Sequence, residues 1–259
     1  VEAAFFDLDK TIIARASMAA YVPALRRAGY LSAPMALRAA WGQLLFRFFG
    51  ADEKTMDRAR RTALRLASGW EQANLRHLAS EHLTELIEPI VYDEALDLIL
   101  HHRAEGRMLV LVSAAPIEIV EPMATHLQFD DTIATTPMID ADGRYTGEVE
   151  FYAHGAAKAE AIQRLAARDD LDLIGSWAYS DSVTDLPMLE AVGHPVAVNP
   201  DRELRREAGR RGWPILEFER PVALGDRIPI DRNWVAASAL TLVLIVGVGS
   251  AIRRLRRRS

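Results

Sequence analysis

The sequence predicts an α/β protein: a doubly wound, mostly parallel sheet with a helical cap after its first strand and a hydrophobic helix at its C-terminus. Three observations predict this. The apolar run Val1, Ala3, Ala4, Phe5 and Phe6 reads as a buried strand. From Tyr92 to Phe218, apolar runs of strand length alternate with amphipathic helical stretches, which is the pattern of a parallel sheet. Finally, Trp234–Ile252, WVAASALTLVLIVGVGSAI, runs for 19 residues without a charge.

A chain of 259 residues, 50% of them apolar, can bury one good core with a smaller appended unit. The absence of Cys excludes disulfides, thiolate catalysis and Cys-based zinc sites. The seven His show no metal-ligand spacing, and His101 and His102 read as surface residues at a helix end. The net charge of −5 is unevenly spread: Arg253, Arg254, Arg256, Arg257 and Arg258 give the last 27 residues +5 with no acid, so residues 1–232 carry −10. A net-negative body argues against nucleic-acid binding. No secretory leader is read ahead of the first strand, and the first residue is Val rather than Met.

In order, residues 16–88 read as a helical insert of about four helices, broken at Gly29–Pro34, Gly50–Asp52 and Ser68–Gly69. Because it follows the first strand directly, it is expected to lie over that strand's end. Within it, Trp41, Leu44, Leu45, Phe48 and Phe49 read as the cap's own core, or else as a surface for lipid or an acyl chain. A helix is expected over Asp93–Glu105, ending at Gly106, then a strand over Met108–Ser113, with Pro116 in the first turn of the next helix. A short strand, Thr132–Thr135, precedes a hairpin at Asp142 and Gly143. A helix over Ala156–Ala167 and a strand over Leu173–Ser180 follow. A short helix over Leu186–Val192, a strand over Pro195–Val198, a helix over Arg202–Gly209 and a strand over Pro214–Phe218 complete the series. The expected division is a core of residues 1–15 and 89–219, a cap of 16–88, a linker of 220–233, a transmembrane helix of 234–252 and a basic tail of 253–259.

The candidate chemistry lies at strand ends. Asp7 and Asp9 are one residue apart just past the first strand, where a doubly wound sheet places its ligands. Neighbouring carboxylates resist joint ionisation and require partners. Ser113 ends its strand, and the amides of Ala114 and Ala115 are expected to open the next helix as an anion site. Lys158 lies at a helix start, where the dipole disfavours it unless an anion is bound. Asp181 and Asp185, four apart after a strand, complete an oxygen-rich set suited to Mg²⁺.

In that order, DLDKT, a hydrophobic strand ending in Ser, a Lys and SDSVTD resemble the four motifs of the haloacid dehalogenase-like phosphohydrolases, which have a Rossmannoid core. The insert after the first motif and the run DSVTDLPMLEAVGHPVAVNPDREL resemble the phosphoserine phosphatase-like branch. The resemblance covers about residues 3–218. It implies that Asp7 attacks phosphorus to form an aspartyl phosphate. It also implies that Asp9, kept protonated by the nearby carboxylate, protonates the leaving oxygen and then activates water. Mg²⁺ would be held by Asp7, the backbone carbonyl of Asp9 and Asp181. Ser113, the Ala114 amide and Lys158 would hold the phosphoryl oxygens, with Asp185 behind them.

The branch's phosphoserine enzymes hold the substrate amine with a Glu shortly after the first motif, whereas this chain has no acid between Thr11 and Ala51. The uncharged C-terminal stretch would cross about 28 Å as a helix, with Trp234 at one end and RRLRRR at the other. The positive-inside rule would place those arginines in the cytoplasm and the domain outside. The missing leader and the cofactor favour a cytoplasmic domain. Together these features lead to the expectation of a membrane-associated enzyme acting on a phospholipid-pathway phosphate monoester. The alternatives are a phosphatase of soluble substrates such as phosphoserine, a phosphotransferase, or a catalytically idle protein that binds a phosphorylated ligand.

Overall fold

The computed structural model describes residues 1–31 and 61–219. The chain divides into a unit Val1–Ala223 and a second unit Leu224–Ser259, the latter outside the described residues. The stretch containing Trp41, Leu44, Leu45, Phe48 and Phe49, the linker, residues 234–252 and the basic tail also lie outside them.

Strand β1 (Ala3–Asp7) is buried along its whole length, as a strand covered on both faces must be. It pairs in parallel with β2 (Met108–Pro116) on one side and β5 (Trp177–Ser180) on the other, with Asp7 opposite Val112 and Phe6 opposite both Leu111 and Tyr179. The other strands are β3 (Asp131–Ile139), β4 (Tyr145–Phe151), β6 (His194–Val198) and β7 (Ile215–Leu216). The sheet order is β4-β3-β2-β1-β5-β6-β7, with only β4 antiparallel. The chain builds outward from β1 in one direction, then returns to build in the other, so the crevice above β1 is the switch point.

Side chains alternate across the sheet. Ala3 and Phe5 join Val110, Ala178, Ile162, Leu165 and Met188 on one face, under α6 (Ala156–Asp169), α7 (Leu186–Glu190) and α8 (Arg202–Arg211). On the other face Phe6 stacks on Tyr179, with ring centroids 4.6 Å apart, and meets Phe129 and His102 edge-on. That face lies under α4 (Asp93–Ala104) and α5 (Ile117–His126). Helix α4 carries acids in its first turn and bases in its last, in agreement with its dipole.

Of the expected insert 16–88, α1 (Ser17–Arg27), residues 61–67, α2 (Gln72–Glu81) and α3 (Leu83–Leu86) are helical. The stretch leading into α2 is stitched to the β3–β4 hairpin: the Gly69 amide donates to the Tyr145 carbonyl, the Tyr145 amide to Trp70, and the Gln72 amide to Gly143.

Four sequence readings are corrected. Strand β5 starts at Trp177 rather than Leu173, because the Asp172 carboxylate accepts from the Ile174 and Gly175 amides and turns the chain first. The short strand expected over Thr132–Thr135 is the longer β3, which runs on to Ile139 and enters the expected hairpin at Asp142 and Gly143, with β4 as its second arm.

The third correction concerns His102, which is buried rather than at the surface. Arg107 donates to its Nδ1 at 3.3 Å, so the neutral ring carries its proton on Nε2 and donates it to the Tyr179 hydroxyl at 2.8 Å. Burial, with Arg107 and His101 adding to it, pushes its pKa down to about 4. Since the unfolded value is about 6.5, the stability is fully present above pH 6.5 and is lost as pH falls toward 4. Denaturation titrations are expected to show about 2 kcal/mol less stability from this group at pH 5 than at pH 7.5. That loss should be missing from His102→Gln; an identical pH dependence in the variant would exclude the assignment.

The fourth correction concerns the expected membrane association. Among the described residues no helix is long and apolar enough to cross a membrane. The longest with both ends described, α6, has 14 residues and spans about 21 Å, against a hydrocarbon core of about 30 Å. The two apolar stretches behind the expectation, residues 234–252 and the run from 41 to 49, lie outside the described residues, and no described element supports it.

Candidate active site

The carboxyl ends of β1, β2 and β5 bring the expected polar residues together. Asp7 is the last residue of β1 and is buried. Just past it the chain turns back on itself, with the Ile12 amide donating to the Leu8 carbonyl and the Lys10 amide to that of Ile13. This turn holds Lys10 at a φ of 65°.

Lys158, in the first turn of α6, is the pivot of the site. Its Nζ donates to Asp7 Oδ1 at 2.7 Å and to Asp185 Oδ2 at 2.8 Å, and all three side chains are buried. Asp185 Oδ2 also accepts from the Ser180 hydroxyl at 2.7 Å. The oddity of a lysine at a helix start is thereby explained by two side-chain carboxylates that outweigh the dipole. Asp181 lies beyond the end of β5 and pairs with Lys10 Nζ at 3.3 Å, a contact the sequence reading missed. Thr11 Oγ1 lies 3.5 Å from Asp7 Oδ2.

Asp9 Oδ1 accepts the Ser17 amide at 2.7 Å, at the first turn of α1. Ser17, also unforeseen, sits in a run whose only visible signal was helical. Ser113 is buried one residue beyond the partner of Asp7 in the β1–β2 register. The expectation for Ala114 and Ala115 is corrected: β2 continues to Pro116 and α5 opens at Ile117, so their amides lie in a strand-end bulge rather than at a helix N-terminus. The Ala115 amide turns back onto Ser113 Oγ at 3.1 Å.

Burial raises the Asp7 pKa well above the usual carboxylate range. Lys158 opposes the rise, and Asp185, Asp181 and Asp9 add to it. Asp9 is also raised, chiefly by burial and against its hydrogen bonds from Ser17, so the neighbouring carboxylate is not the leading cause. Burial pushes Asp181 up to about 6, with Lys10 opposing. For Lys158 burial alone would lower the pKa, but Asp7 and Asp185 outweigh it and hold it above the ordinary lysine value.

Four carboxylates, Asp7, Asp9, Asp181 and Asp185, thus share two ammonium groups, Lys158 and Lys10, which leaves two negative charges uncompensated when all are ionised. An all-oxygen donor set with that deficit fits a hard divalent cation. Among the described residues no three acidic or His side chains are already gathered as a metal cage, and the lysines hold oxygens of Asp7 and Asp181.

Comparisons with known proteins cover most of the chain. The family profile of haloacid dehalogenase-like hydrolases matches residues 4–190. The "Inhibition of morphological differentiation protein" of Streptomyces azureus is 47% identical over 249 residues, 96% of this chain and 89% of that protein. The phosphoserine phosphatase SerB1 of Mycobacterium tuberculosis is 34% identical over 218 residues, 83% of this chain and 70% of that protein. The fold superimposes on a phosphoserine phosphatase solved with a phospho-aspartyl intermediate analogue, with a TM-score of 0.60 at 18% identity, covering 85% of this chain and 94% of that one. None of these names points to a lipid phosphate. The chain belongs to the haloacid dehalogenase-like hydrolase family and is a phosphomonoester phosphatase of it.

Proposed function

We propose that the chain hydrolyses small, soluble phosphate monoesters, with phosphoserine the first to test, through a phosphoenzyme on Asp7. The observation that carries this reading is the unequal treatment of two carboxylates on one turn. Asp7 is paired with a buried ammonium, whereas Asp9 is raised by burial and held through one oxygen by the Ser17 amide. Pairs of acids with divergent surroundings divide into nucleophile and proton carrier.

An oxygen of Asp7 attacks phosphorus and the bond to the ester oxygen breaks, while Asp9 gives its proton to the departing alkoxide. Asp9 then takes a proton from water, whose oxygen attacks phosphorus and releases Asp7 and inorganic phosphate. Lys158 and the Ser113 hydroxyl hold phosphoryl oxygens, and Asp185 keeps Lys158 directed at Asp7. Asp7, the Asp9 carbonyl and Asp181 would hold Mg²⁺, whose positive charge would keep Asp7 ionised and offset the negative charge of the phosphoryl oxygens.

The full-length protein is expected to release phosphate from soluble monoesters with Mg²⁺, to lose that activity in a chelator, and to regain it on Mg²⁺ addition. A panel running from phosphoserine to lysophosphatidate separates the substrate classes. Turnover of lipid phosphates alone would overturn the soluble-substrate reading, and no release from any ester would overturn the function.

A further inference from the structure

The β2–β3 ladder slips where β2 reaches the site. Ser113 pairs with Ala134, but the next pair is Pro116 with Thr135, so Ala114 and Ala115 are extra residues on β2. A bulge of this kind re-aims side chains, and its shape depends on what holds the displaced peptides. Here the holder is Thr135, which is buried. Its Oγ1 donates to the Ala114 carbonyl at 2.7 Å and accepts the Ala153 amide at 3.3 Å. The directions are unambiguous, because an amide can only donate and a carbonyl only accept.

Each bond leads to a different phosphoryl-holding group. Fixing the Ala114 carbonyl fixes the peptide whose N–H, that of Ala115, reaches Ser113 Oγ at 3.1 Å. Ser113 then accepts from its own chain, and its one proton is left to donate outward. On the other side, Ala153 begins the short path through His154 and Gly155 into α6, where the Lys158 amide donates to the Gly155 carbonyl. One hydroxyl therefore ties the strand end that presents Ser113 to the loop that presents Lys158.

We infer that Thr135 is a positioning residue that sets the spacing of Ser113 and Lys158 and hence the affinity for the phosphoryl group. The inference rests on the function proposed above. Thr135→Val keeps the shape and removes both bonds; Thr135→Ser keeps the hydroxyl. Ser176→Ala is the matched control. Its Oγ likewise accepts an amide, that of Ala3 at 2.9 Å, and donates to a carbonyl, that of Asp172 at 2.6 Å, but ahead of β5 at the opposite end of the sheet.

Calorimetric titration of the full chain with inorganic phosphate in Mg²⁺, together with steady-state kinetics, makes the test. Thr135→Val is expected to weaken phosphate binding and raise KM by about tenfold with a smaller change in kcat, the signature of lost ground-state and transition-state contact. Thr135→Ser should stay within about twofold of wild type, and Ser176→Ala should lower Tm while leaving phosphate affinity in place. If Thr135→Val does not fold, Thr135→Ala takes its place in the same comparison. Phosphate affinity unchanged in the hydroxyl-free variant, or weakened equally in Ser176→Ala, overturns the inference while the proposed function stands. A wild-type chain that neither binds phosphate nor hydrolyses any ester overturns both.

Discussion

Replacing Asp7 with Asn is expected to lower kcat/KM by at least roughly 10³-fold, because the amide cannot serve as the attacking oxygen and no other carboxylate shares its place at the end of β1. The fold should survive. Asn has the same shape, its amide oxygen can still accept from Lys158, and Lys158 keeps Asp185 at 2.8 Å. Removing a buried negative charge also relieves the penalty that raises the Asp7 pKa. The measurement pairs steady-state turnover with acid-quench trapping of the phosphoenzyme. Wild type should retain protein-bound phosphate at early times and Asp7→Asn none. Turnover near wild type, or label on the variant, would place the nucleophile elsewhere.

Gly193→Ala is expected to be the most damaging single-methyl addition in the described fold. A Cβ there would stand 1.8 Å from the Ile174 carbonyl oxygen, which is backbone and cannot rotate aside. Neither strand of chain is free to retreat. The Gly193 amide donates to the Leu173 carbonyl at 2.9 Å and the His194 amide to Ser176 at 3.0 Å, and β6 starts at His194. Overpacking of this severity costs about 3 kcal/mol, or about 10 °C in Tm for a domain of this size. The contact lies at the amino end of β6, away from the carboxylates proposed as catalytic, so the fraction that remains folded should turn over at the wild-type rate. A Tm within about 2 °C of wild type would show that the Asp172–Ser176 turn yields more easily than its hydrogen bonds imply.

The parts of the molecule legible in the sequence are those where local pattern and tertiary role coincide. Strands β1 and β2 are apolar on both faces because both are covered, and Asp7, Asp9, Asp181 and Asp185 stand immediately after buried runs, where burial of acids needs a chemical reason. Lys158 was legible by order alone, since its bonds span 151 residues to Asp7 and 27 to Asp185. Other features depend on partners that no local window contains. The bulge at Ala114 is set by Thr135, from a different strand, and Asp9 is held by an amide of α1. His102 could have been found: Ala95, Ile99 and His102 share the buried face of α4 at helical spacing, but chemical type outweighed periodicity. The membrane expectation failed differently, because it rested on composition, and among the described residues no helix is long and apolar enough to cross a membrane.

The position of β1 in the sheet has a consequence for synthesis. Ala3 pairs with Met108 and Ala4 with Trp177, so the strand's two neighbours follow it by roughly 100 and 170 residues. At about 5–20 residues per second, the second neighbour leaves the ribosome roughly 10–35 s after the first strand does. Until then AAFFD is an apolar segment with an open edge, a template for pairing with other chains. The same delay keeps the site incomplete during synthesis: no nascent fragment ending before Asp185 can carry the full set of charged partners around Asp7.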